Sequence, residues 1–171
     1  MFKITRDMIK AKGAFPAGYR EFCKTFPEED YPDGVEYQKI LDRCAENGRD
    51  SYASWLVYTF GKTTDVRKIE GDYISEKSIF VCGRLEVTGK ISCIGSIEAG
   101  WGIEAGRGIE AGWGIKAGRG IKAGRGIEAG ENFGIYAGLS VRLDSNDRQV
   151  KAKQKPINLI CGEFVVDDDK E

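Results

Sequence analysis

The sequence contains no histidine, and this absence excludes more chemistry than any other feature of its composition. Histidine is the side chain that most often serves as a general base near neutral pH, and it is the commonest metal ligand in proteins. The chain also lacks any apolar run that approaches the roughly 18 residues needed to span a membrane. We therefore expect a cytoplasmic protein that is not an enzyme and has no metal, no cofactor and no membrane partner.

A large net charge of either sign is missing too. The 26 basic and 27 acidic side chains nearly cancel, so no overall field draws the protein toward nucleic acid or an anionic surface. The five cysteines are an odd number and include no Cys-x-x-Cys pair, which favours reduced, buried thiols over zinc or redox chemistry. A site that depends on charge must therefore be a local feature.

The most prominent feature of the sequence is a six-residue repeat. Six copies of Ile-[Glu/Lys]-Ala-Gly follow one another in a six-residue frame over 97–130, and the same frame runs from Ile79 through Phe133 and Leu139 to Asp144. Apolar residues at the first and third positions of each repeat predict a short strand with one buried face. Eleven successive repeats of this kind predict the wall of a β-solenoid.

The sequence does not fix the number of repeats in one coil. Hexapeptide solenoids usually close as a triangle, with three repeats to a coil, and we expect three sides on that ground. A coil of three repeats places Glu104 beside Lys122 but Glu110 beside Glu128, while a coil of two repeats pairs charges about equally well. Charge does not decide between them, and the handedness stays open.

The fifth position of the repeat is the most variable, and it carries large side chains between two glycines. An arginine that pointed into a narrow solenoid would be a buried, unpaired charge, so we expect the chain to turn a corner there, with positive φ angles at the flanking glycines. Tryptophan and arginine dominate interface hot spots. The predicted partner-binding residues are Trp101, Arg107, Trp113, Arg119 and Arg125.

Residues 1–62 carry the spacing and punctuation of short helices. Thr5 caps a first helix that stops at Gly13, and three more are predicted over 19–26, 35–46 and 52–60. The predicted fold class is therefore α+β, a small N-terminal helical domain followed by a hexapeptide-repeat β-helix.

The sequence divides the chain into four segments. They are a helical domain at 1–62, a connector at 63–72, a solenoid with a C-terminal capping strand at 73–166, and an acidic tail at 167–171. Within the solenoid segment, 142–155 is expected to be a loop or arm. Because open solenoid ends invite fibre growth, we expect the helical domain to cover one end and the strand-like segment 157–166 to cover the other.

Two resemblances suggest functions. The stretch from Ile79 to Ile97 resembles bactofilins, which implies a polymer-forming scaffold. The whole plan, with a Pro-Asp-Gly-Val turn at 32–35, Trp55-Leu56 and then tandem repeats, resembles hypothetical proteins of phages and prophages, which often inhibit host enzymes or defence systems such as CRISPR complexes. Acyltransferases and γ-type carbonic anhydrases share the six-residue period, but they depend on histidine, so this resemblance does not imply their activity.

The main hypothesis is a non-enzymatic protein-interaction module that inhibits a host or defence protein complex, acting in the host cytoplasm if a phage encodes it. One alternative is a polymer-forming scaffold. Another is a nucleic-acid-contacting protein that uses the arginine corner row, a partner class that we favour less. A homodimer stays open.

Overall fold

The computed structural model of this protein describes residues 2–167, which form a helical N-terminal part followed by a parallel β-solenoid. The four helices are α1 (Arg6–Ala11), α2 (Pro16–Thr25), α3 (Tyr37–Glu46) and α4 (Asp50–Phe60). The predicted fold class is confirmed. None of the helices in this range is long and apolar enough to cross a membrane.

The helix boundaries follow local chemistry. Thr5 caps α1 by accepting a hydrogen bond from the Met8 N–H at 3.2 Å, as the sequence predicts. The Pro-Asp-Gly-Val turn reverses the chain ahead of a short ribbon that the sequence did not reveal, in which β1 (Lys3–Ile4) pairs antiparallel with β2 (Val35–Glu36). Gly34 has a φ of 89°, and a Cβ on it would lie 2.9 Å from the Ile4 carbonyl oxygen.

The solenoid consists of fifteen short strands. They are β3 (Val66–Ile69), β4 (Tyr73–Ser75), β5 (Ile79–Val81), β6 (Arg84–Val87), β7 (Ile91–Cys93), β8 (Ile97–Ala99), β9 (Ile103–Ala105), β10 (Ile109–Ala111), β11 (Ile115–Ala117), β12 (Ile121–Ala123), β13 (Ile127–Ala129), β14 (Ile135–Ala137), β15 (Gln149–Ala152), β16 (Leu159–Cys161) and β17 (Glu163–Val166).

Three parallel sheets form the walls, so the solenoid is three-sided. The first face is β17-β15-β12-β9-β6-β3, the second is β13-β10-β7-β4 and the third is β16-β14-β11-β8-β5. In the regular part, Ile79 pairs with Ile97 and Ile97 pairs with Ile115, which fixes three repeats to a coil. The isoleucines of the repeat point inward and are almost completely buried.

The solenoid starts earlier than the sequence indicates. The predicted connector at 63–72 contains β3, so that assignment is wrong for Val66–Ile69. The apolar alternation that predicts a strand is broken here, because Arg67 occupies an inward position, level with Leu85 of the next coil. Its guanidinium bonds to Asp42 of α3 at 2.7 Å and lies 5.5 Å from the centre of the Tyr73 ring.

The repeat frame also shifts near its end. After Ile127, the next first-position residue is Ile135, because Glu131 and Asn132 are inserted between them. The expected unbroken frame to Asp144 is therefore wrong. Phe133 lies at a corner instead of inside, and Leu139 is exposed in a segment outside the strands.

The C-terminal part lengthens the stack instead of closing it. The predicted loop at 142–155 contains a 3₁₀ turn (Asn146–Arg148) and β15, which pairs in parallel with β12. The predicted capping strand at 157–166 is instead β16 and β17, each adding a parallel rung to its face. Asp167 approaches Lys122 at 3.6 Å, and the remainder of the predicted acidic tail lies outside the described residues.

The helical part covers the free edge of β5, as expected for one end of the solenoid. Phe80, at an outward position, is 2% exposed because it belongs to the hydrophobic core of the helices. The side-chain amide of Gln38 donates to the Phe80 carbonyl at 2.8 Å and accepts from the Cys82 N–H at 3.1 Å. It thereby takes the place of a peptide group from an absent neighbouring strand.

Candidate interaction surface

The five predicted partner-binding residues lie at corners, as expected, but on three different corners. Trp101 and Arg119 are one full coil apart and stack where the third face meets the first; the Arg119 N–H donates to the Trp101 carbonyl at 2.7 Å. Arg107 and Arg125 stack in the same way between the first and second faces, at 3.1 Å. Trp113 lies between the second and third faces. The five residues therefore do not form one surface.

The glycines at these corners have a different role from the one predicted. Within the described residues, none of the repeat glycines from Gly100 to Gly130 has a positive φ. The glycine before each corner residue is instead required by close approach of the preceding coil. A Cβ on Gly112, for example, would lie 2.1 Å from the Ile94 carbonyl oxygen.

Trp101 contacts two cations through its indole ring. Arg119 Cζ lies 3.9 Å from the centre of the indole ring, and Lys62 Nζ, just beyond α4, lies 4.6 Å from it. Arg119 also bonds to Asp147 at 3.2 Å. Trp101 and Arg119 therefore join the linker after α4 to the corner and to the segment before β15, which is a structural role.

The arginines between the first and second faces are both exposed. Arg107 bonds to Asp72 at 3.4 Å, and Lys153 continues the column because its N–H donates to the Arg125 carbonyl at 2.9 Å. The row of three arginines expected from the sequence is thus divided, with Arg119 on a separate corner.

Trp113 is the predicted residue that remains available as an aromatic contact. Its side chain is 46% exposed, and its ring stacks on Phe133 with a centroid separation of 6.1 Å and an interplanar angle of 25°. Phe133 is 45% exposed. The sequence did not single out Phe133, because in the unshifted frame it occupies an inward position.

Two further side chains extend this pair. A Cβ on Gly134 would lie 2.7 Å from Ile160 Cγ1 and 2.7 Å from Tyr136 Cε2, so both side chains close over the glycine that follows Phe133. Ile160 is 66% exposed. We call Trp113, Phe133, Tyr136 and Ile160 the aromatic corner patch.

The outward column of the third face connects the patch with the helices. From the N-terminal end it consists of Phe80, Glu98, Lys116 and Tyr136, which are neighbours in register. The buried carboxylate of Glu98 accepts a hydrogen bond from Ser54 of α4 at 2.8 Å and lies 3.9 Å from Lys116 Nζ. The column therefore changes from a buried, helix-covered side chain at Phe80 to a half-buried aromatic one at Tyr136.

No protein-family model, curated protein or solved structure matches this chain.

Cys44 and Cys93 are poorly suited to act as nucleophiles. Burial raises the pKa of Cys44 to about 12 and the pKa of Cys93 to about 11. A nucleophilic cysteine needs a shift in the opposite direction, because the thiolate is the reactive form.

We expect the two corner tryptophans to differ in their effect on stability. Trp101→Ala removes both cation–π contacts and should lower the free energy of unfolding by about 1–3 kcal/mol. Trp113→Ala loses one exposed ring stack and should cost less than about 1 kcal/mol. Urea denaturation followed by circular dichroism measures both, and equal losses would contradict the assignment of a structural role to Trp101.

Proposed function

We propose that this protein is a non-enzymatic interaction module that binds another protein through the aromatic corner patch. The observation that carries the proposal is the exposed Trp113–Phe133 stack, flanked by Ile160, on a rigid corner of the solenoid. Clustered exposed apolar side chains mark interaction sites, and tryptophan in particular is enriched among interface hot spots. The fixed backbone limits the conformational entropy lost on binding.

The proposed partner is a host or defence protein complex, such as a CRISPR effector, which the protein would inhibit by occupying a surface. Support for this partner class comes from the resemblance of the chain to phage and prophage proteins. The proposed place of action is the host cytoplasm.

The nucleic-acid alternative rests on Arg107, Arg125 and Lys153, which stack on one corner. We favour it less because Arg107 is bonded to Asp72 and because Arg119 faces a different corner. The scaffold alternative is also less favoured. Arg67, inward in the first coil and bound to Asp42, would be buried if a second copy stacked on that end.

Affinity capture from bacterial lysate, with mass spectrometry and three forms of the protein, tests the proposal. Trp113→Ala combined with Phe133→Ala should weaken capture of the partner by about 2 kcal/mol or more, roughly 30-fold, since both changes fall at the centre of the patch. Arg107→Ala combined with Arg125→Ala, the matched change on another corner, should leave capture intact.

The opposite pattern, with loss only in the arginine variant, would overturn the proposal and favour a polyanionic partner. Light scattering on the wild-type preparation is the control for self-assembly. An apparent molar mass that grows steadily with protein concentration would favour the scaffold alternative instead.

A further inference from the structure

The helical part contains a cavity that the interaction surface does not use. It has a volume of about 130 Å³ and lies among α2, α3, α4 and the loop that precedes α2. Its walls are formed mainly by apolar side chains, among them Phe22, Phe26, Ile40, Cys44, Tyr52 and Trp55. The cavity is on the helical part and does not involve the aromatic corner patch.

The walls set the chemistry of what can enter. The aromatic rings and the Cys44 thiol offer dispersion contacts but little hydrogen bonding, so a charged or strongly polar molecule would lose its hydration without compensation. Burial keeps the Cys44 thiol protonated, with a pKa raised to about 12. Cys44 therefore acts as an apolar part of the wall.

The rim of the cavity differs from its walls. Glu21 and Arg49 both belong to the lining, are partly exposed and bond to each other, with the Arg49 Nε 2.8 Å from Glu21 Oε1. Arg43, Asn47 and Ser51 also line the cavity. A protein partner that inserted a side chain would have to cover these charged and polar groups. A small molecule would leave them in water.

The size of the cavity fits one aromatic ring. An enclosed apolar cavity of about 150 Å³ in a protein core binds benzene, and this one, although it opens at its rim, offers a similar volume. We propose that the helical part binds a small, uncharged, single-ring aromatic molecule in this cavity. The wall contacts select the ring, and the Glu21–Arg49 pair stands at the entrance.

Toluene is a suitable probe, used with the full chain and measured by thermal denaturation and by amide chemical shifts. Toluene should raise the melting temperature by a few degrees and shift amides of α2, α3 and α4, with a dissociation constant of roughly 1 mM or below. Cys44→Leu fills the cavity and should weaken binding at least tenfold.

Cys23→Leu is the matched control, because Cys23 is also a half-buried thiol on a helix but does not line the cavity. This variant should bind toluene as the wild type does. Ala14→Leu fills the cavity from the loop before α2 and serves if Cys44→Leu fails to fold. The proposal is overturned if saturating toluene shifts none of these amides, or if the filled and control variants bind it equally.

Discussion

Gly106→Ala is expected to lower the free energy of unfolding by about 3 kcal/mol, a large effect for one added methyl group. The new Cβ would lie 2.0 Å from the Thr88 carbonyl oxygen of the coil below. Hydrogen bonds between the coils hold the two backbones together, including one of 2.9 Å from the Gly106 N–H to the Val87 carbonyl. Relief of the clash requires these coils to separate.

Gly108→Ala is the matched control, because Gly106 and Gly108 flank the same corner residue, Arg107. At Gly108 a Cβ would meet the Gly126 carbonyl oxygen at 3.5 Å, an ordinary contact. We expect a change within about 1 kcal/mol. Urea denaturation of both variants measures the difference. Similar losses at the two positions would mean that backbone freedom at the corner, and not close approach between coils, explains the glycines.

Phe80→Ala is expected to cost about 3–5 kcal/mol and to uncouple the helices from the solenoid. Phe80 extends from β5 into the helical core, where it is 2% exposed. Its loss leaves a cavity where α3 packs on the third face and weakens the support for Gln38 on the edge of β5. Hydrogen exchange of α3 amides should then become faster than exchange in β8 and β11.

Tyr136→Ala is the control for this change. Tyr136 occupies the same outward position on the same face, but it is half-buried and lies far along the stack from the helices. This variant should lower the free energy of unfolding by less than about 1 kcal/mol, as expected for a site away from the core, and leave exchange in α3 unchanged. Equal effects of the two variants on α3 would contradict the role of Phe80 in the junction.

The regular part of the fold was predictable because the residues within each repeat are enough to indicate which side chains point inward. Apolar residues at the first and third positions of each repeat are a local signal, and they identified the inward positions correctly from Ile79 to Ile127. The exceptions depend on distant residues. Arg67 can lie inward because its guanidinium bonds to Asp42, 25 positions earlier in the chain. The residues around Arg67 do not predict this pair.

In the candidate site, too, local features were predictable from the sequence and features that depend on distant residues were not. Sequence reasoning found that the fifth position of the repeat lies at a corner, but it grouped residues by position in the repeat, and the three-sided coil sends neighbouring repeats to different corners. Phe133 was missed because two inserted residues shift the frame just before it. Only the register of β14 on β11 reveals that the ring reaches Trp113.

The coil of three repeats also limits how a chain of this kind can change in length. Removal of a full coil, such as 97–114, would bring Ile115 directly over Ile79 and keep every later residue on its own face. Removal of a single repeat between the two rings, such as 115–120, would turn everything beyond it by one face and carry Phe133 away from Trp113. During evolution, repeats should therefore be gained or lost three at a time, even though the unit that recurs in the sequence is one repeat.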